Sequence, residues 1–171
     1  MPIPATRLVT IAQAALDAVV AGFAAESRAL PARQFVAPGT PAALPFDCEL
    51  LAVQLTRTFG QEGNVASPAA QPVFAHPGFA LRGCDIAVTL VRCVPEIQGG
   101  SSFARPRVPT APVEQAAAEE LLTDAVVLTN ALLERGAFPV SCNGVIVRDW
   151  SAIGPAGGFG GGILNVTVAL A

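Results

Sequence analysis

With 171 residues the chain is long enough to bury a proper core, and a single α+β domain over residues 1–171 is the simplest organisation. Hydrophobic residues make up 52% of it and charged ones 13%, against roughly a quarter charged in ordinary domains, so much of its surface is expected to be covered, in an assembly or in a membrane. A net charge of −3 argues against non-specific DNA binding, which needs a surplus of cations, and no run approaches about 20 uncharged apolar residues, which argues against a membrane span.

Thr6 is placed to cap a first helix running to about Arg28. Leu8, Ile11, Ala12, Ala15, Val19 and Phe23 recur at steps of three and four and make one apolar stripe. The stretch Leu8–Ala25 faintly resembles a signal peptide, with Arg7 before it and Leu30-Pro31-Ala32 after. Gln13 and Asp17 interrupt it, and it reads as a helix of the mature protein. From Pro31 to Pro45, prolines and Gly39 predict an irregular connector laid over the surface.

Asp47–Phe59 reads as a first strand, with Leu51, Val53 and Leu55 on one face and Ala52, Gln54, Thr56 and Thr58 on the other. A long loop, Gly60–Gly83, leads to a second strand, Cys84–Val94, with Ile86, Val88 and Leu90 on one face. If these strands pair antiparallel, Cys48 and Cys93 come close at one end. A disulfide there has room but is not needed, and small core thiols account for all four cysteines. Pro95–Thr110 is a second open loop, with glycines and serines at its tip and Arg105 and Arg107 behind them.

A second helix, near Pro112–Arg135, opens on Pro112 with Glu114, Glu119 and Glu120 towards the positive end of its dipole. Arg135 and Gly136 close it. Its expected buried face is Ala118, Leu121, Leu122, Ala125, Leu128, Thr129 and Leu132. Two strands follow, Ser141–Trp150 and Ile163–Leu170, joined by a Gly/Pro-rich excursion, Ile153–Gly162. In the last strand Leu164, Val166, Val168 and Leu170 share a face, and Asn165, Thr167 and Ala169 the other. The glycines suit a sharp bend or a backbone packed tightly against a neighbour. The expected architecture is α+β: a mostly antiparallel four-stranded sheet with two long helices packed on one face, and long Pro/Gly-rich loops at 60–83 and 97–110.

Motifs for chemistry are scarce. His76 is the only histidine, in a proline-flanked loop. All ten basic residues are Arg, so no P-loop or Schiff-base lysine exists. The run Gly154–Gly162 holds no GxGxxG, no GxSxG occurs, and the cysteines show neither CxxC nor metal spacing. No catalytic residue, metal ligand or cofactor-binding residue is assigned, no cofactor is expected, and the chain does not read as an enzyme.

The chain resembles the tail terminator proteins in the neck of long-tailed phages infecting actinobacteria. The resemblance rests on Asp47-Cys48-Glu49 opening the first strand, Val91-Arg92-Cys93-Val94-Pro95 closing the second, an Ala/Glu-rich helix with Asp124, and Gly136 leading to Cys142. Gly154-Pro155-x-Gly157-Gly158-x-x-Gly161 then runs into the alternating final strand. Abundant Ala, Gly, Pro and Val with no Lys also fits a gene of high GC content, as in a phage of a GC-rich host.

What the resemblance implies is a structural virion protein, assembled in the bacterial cytoplasm, that caps the tail tube as a hexameric ring. Its partners would be further copies of itself, the tail-tube protein and the head connector or stopper, with no membrane and no sequence-specific nucleic acid, DNA passing only through the ring lumen. Arg105, Arg107, Phe103, Gly157, Gly158 and Phe159 are the expected partner-contact residues, from loop position. Alternatives are another neck protein (stopper or adaptor), a tail-tube subunit, a cytoplasmic oligomeric binding protein or a thiol enzyme.

Overall fold

Apolar alternation does build strands here, and the strands lie in one sheet. The computed structural model describes residues 5–39, 49–61, 80–95, 109–156 and 158–170. In chain order the elements are α1 (Ala5–Ala25), β1 (Arg33–Pro38), β2 (Leu50–Gln61), β3 (Ala80–Cys93), α2 (Ala111–Leu133), β4 (Cys142–Ala156) and β5 (Phe159–Leu170). The sheet order is β1-β2-β3-β5-β4, with β1 parallel to β2 and the other neighbouring pairs antiparallel. Both helices pack on one face.

The class is α+β, but the expected four-stranded, mostly antiparallel sheet is corrected to a five-stranded mixed one. The additional strand, β1, lies in the stretch read as an irregular connector. Its prolines fall at the margins: Pro31 precedes the strand and Pro38 ends it. Proline is tolerated at such edge positions because no ladder N–H is lost in the strand interior. Between them Phe35 and Val36 suit a pleated surface, and Phe35 pairs with Ala52, Val36 with Val53.

The Gly/Pro-rich excursion Ile153–Gly162 is also corrected, because β4 continues to Ala156 and β5 already begins at Phe159. Gly158, at φ +78°, takes the tight reversal. Gly160, Gly161 and Gly162 lie within β5 and are buried. They are glycines because neighbours occupy the space of a side chain. A Cβ on Gly160 would meet Leu121 at 3.3 Å, and one on Gly162 would run into the Trp150 ring.

The core lies between helices and sheet. α1 contributes Ile11, Ala12, Ala15, Leu16, Val19 and Phe23, and the sheet contributes Leu51, Val53, Ile86, Val88, Leu90, Leu164, Val166, Val168 and Leu170. These are the faces that the sequence periods predict. Thr6–Ala25 is in fact long and apolar enough, at mean hydropathy 1.8, to cross a bilayer. It is not an uncharged run, since Arg7 and Asp17 lie within it, and one side of this helix is core.

The buried face of α2 departs from expectation. Leu128 and Leu132 are buried, but so are Asp124, Val127 and Ala131. Leu122, expected inside, is 62% exposed, as are Val126 and Leu133 at 57% and 55%. Polar residues such as Glu119, Thr123, Asp124 and Asn130 are spread among the apolar ones of α2, so its sequence does not single out the inner face, and packing decides which stripe is covered.

Candidate functional site

One end of the sheet gathers the start of β2, the end of β3 and the β4–β5 turn, and there the polar groups are most highly organised. Asp124, fully buried on α2, accepts from Arg28 Nε at 2.6 Å and from Arg92 Nε at 2.9 Å. Arg92, near the end of β3, also donates to Glu49 Oε2 at 3.2 Å and to the Ala29 carbonyl at 2.7 Å. Its guanidinium lies 5.6 Å from the Phe23 ring centroid. Burial alone would lower the Arg92 pKa, but the hydrogen bonds and charges of Asp124 and Glu49 outweigh it and raise it. The network ties the end of α1, the middle of α2, the end of β3 and the entry to β2 into one unit.

These residues were visible in the sequence only as parts of a pattern, without a role. The available signal was Asp124, an acid at a helix position flanked at three- and four-residue steps by Leu121 and Leu128. An acid on an apolar stripe needs a buried partner, but sequence does not say which arginine supplies it.

Beside this network the Cys93 N–H donates to Glu49 Oε1 at 3.3 Å. Cys93 is exposed and disulfide-bonded, not the small core thiol expected. Cys48 lies outside the described residues. Cys84 and Cys142 are free thiols. Burial pushes Cys84 up to about 11, with the negative charges of Cys142 and Asp85 adding to it. Burial also raises Cys142, against the pull of Arg7 and a hydrogen bond from Ser141. Both shifts are the reverse of thiol activation.

The expected contact residues divide. Phe103, Arg105, Arg107 and Gly157 lie outside the described residues. Gly158 and Phe159 sit at the organised end, where the Val94 N–H donates to the Gly158 carbonyl at 2.9 Å. Phe159 is half-buried against Leu50, Ala52 and Val91, with Phe35, on the sheet face away from the helices. That is a packing role. The same turn therefore sits against Val94, beyond which the segment bearing Phe103, Arg105 and Arg107 continues in sequence.

Two further surfaces lack any sequence signal. On the sheet face away from the helices, polar side chains link strands. Gln54 on β2 donates to Thr89 on β3, and Arg148 Nε on β4 donates to Thr167 on β5 at 2.6 Å. Thr167 in turn donates to Asp85 on β3, and Asn165 to Asp149 on β4. On the helical side a groove of about 490 Å³ runs between the end of α1 and α2, lined by Gly22, Ala25, Val126, Val127, Ala131 and Leu133 among others. Among the described residues no cluster of His, Cys, Asp and Glu could hold a metal ion.

Neither known family models nor curated protein sequences give a match to this chain.

Proposed function

We propose that the chain is a structural virion protein that caps a phage tail tube as an oligomeric, hexameric ring, stopping tube polymerisation and presenting a surface to the head connector. The observation that carries the reading is the outer face of α2. Leu122, Val126 and Leu133 are all more than half exposed, in a chain with only 13% charged residues. Such a stripe marks a surface that associates, and ring subunits are the case in which a small, weakly charged chain covers it against its neighbours. The tail-terminator resemblance supplies the identity of the assembly, and it stands on the quoted motifs alone.

Capping then means that one ring face complements the tube while the other refuses another tube subunit. The organised end of the sheet suits an inter-ring contact: the ion network holds it rigid, and the segment with Phe103, Arg105 and Arg107 follows directly from it in sequence. Changing Arg105 and Arg107 to Ala should leave soluble protein but give tails of uncontrolled length, or heads without tails. Normal virions from that double variant would overturn the assignment of those arginines.

The deciding experiment is the mass of the purified chain by light scattering, then negative-stain imaging with and without tail tubes. A closed ring of about six subunits, free or formed on tubes, is expected. Long tubes of this chain would make it a tube subunit. A particle indifferent to phage tails would overturn the reading.

A further inference from the structure

The subunit-to-subunit contact can be taken to named residues. The groove between α1 and α2 is lined mostly by apolar and small residues, with the neutral polar Thr123 and Asn130, two carboxylates, Glu26 and Glu134, and no cation. Both carboxylates belong to exposed residues and have no hydrogen bond or ion pair among the described residues. Val126 and Leu133, from the exposed stripe of α2, form part of its wall.

The complementary pair lies on the opposite side of the domain. β4 is an edge strand of the sheet. Ile146 and Arg148 are two residues apart on it, so their side chains share the face turned away from the helices. Ile146 is 62% exposed, one of the few large apolar side chains so exposed outside the helices among the described residues. Arg148 is exposed and spends only its Nε, on Thr167. Its two Nη groups have no partner among the described residues. Neighbouring Asp149 already accepts from Asn165 and Ser151.

We infer that the α1–α2 groove is the docking site for the β4 edge of a second copy of this chain, with Ile146 entering the apolar groove against Val126 and Leu133 and Arg148 pairing with Glu26 and Glu134. Charge complementarity selects the occupant: an acidic-rimmed apolar groove and an apolar residue beside an unpaired arginine occur on the same molecule. Because groove and edge lie on opposite faces, the contact is heterologous, which is the type that closes into rings or runs on as filaments. This inference rests on the ring reading and names the surface through which the ring would form.

A charge exchange tests it, read by sedimentation velocity of the full chain over a range of concentrations. Arg148→Glu alone, and Glu26→Arg with Glu134→Arg, should each weaken association at least about tenfold, and the triple variant should recover most of it. Unchanged far-ultraviolet circular dichroism and melting certify each fold. As a second readout, Val126→Cys and Ile146→Cys in one chain should give an intermolecular disulfide under mild oxidation. An oligomer that neither exchange weakens, and that does not cross-link, overturns this contact and leaves the ring reading standing. Where the wild-type chain is monomeric in solution, the same variants are read by ring formation on tail tubes, and rings that neither exchange weakens overturn the contact while still upholding the capping function. Singles that dissociate with no recovery in the triple variant overturn the pairing of these charges.

Discussion

Asp124 on α2 and Arg92 on β3 meet at 2.9 Å in the interior, and the Asp124 carboxylate is wholly shielded from solvent. Its other oxygen holds Arg28. Removing this one carboxylate strands two guanidinium groups that were folded around it. Asp124→Ala should cost about 3–5 kcal/mol, as breaking a buried pair from one side does. Glu49→Gln should cost distinctly less, because Glu49 is partly exposed and shares Arg92 with Asp124. Urea unfolding of the three proteins checks the order.

Gly22 sets the approach of the two helices. A Cβ placed there would lie 2.6 Å from the Ala131 Cβ, with Val127 also near. Gly22→Ala gains up to about 1 kcal/mol of helix propensity and loses roughly 1–3 kcal/mol to overpacking. The net effect is expected to be a lower melting temperature. Adding Ala131→Gly should recover part of it, and two independent losses instead would mean that the two sites do not touch.

Trp150 is the only tryptophan and lies over Gly162 across the β4–β5 pair. This aromatic cover of a strand glycine makes its fluorescence a reporter of the hairpin. Gly162→Ala should displace the ring, shift the emission to longer wavelength and destabilise by about 1–3 kcal/mol. Gly154→Ala is the control: a Cβ there meets nothing within 4 Å, and the emission should not move.

Cys84 has its pKa raised from 9.0 to about 11 by burial. The folded state therefore holds the thiol proton more tightly than the unfolded chain. Its stabilising contribution is complete below pH 9 and is lost as pH rises from 9 towards 11, by roughly 2–3 kcal/mol at most. Denaturant melts at pH 8 and pH 10.5 should show a larger loss for the wild type than for Cys84→Ala. In native protein at pH 8, iodoacetamide should label Cys142 well before Cys84.

Sequence by itself determined which residues face the core on α1, β2, β3 and β5, because periods of 3.6 and 2 are local properties of the chain and every strand has one face against the helices. It also placed the helix ends to within a few residues. It missed β1, since a six-residue edge strand between prolines gains its hydrogen bonds only from β2 and carries almost no period of its own. It misread Gly160–Gly162 as loop, because a glycine needed for space looks the same in sequence as a glycine needed for a bend. Only the tertiary structure decided that Asp124 would meet Arg92 and Arg28, 32 and 96 residues away. It also decided that Leu122 would stay outside. Polar and apolar residues are mixed around α2, which leaves several stripes of similar hydrophobicity, and the one that is buried is the one on which Asp124 finds its partners inside.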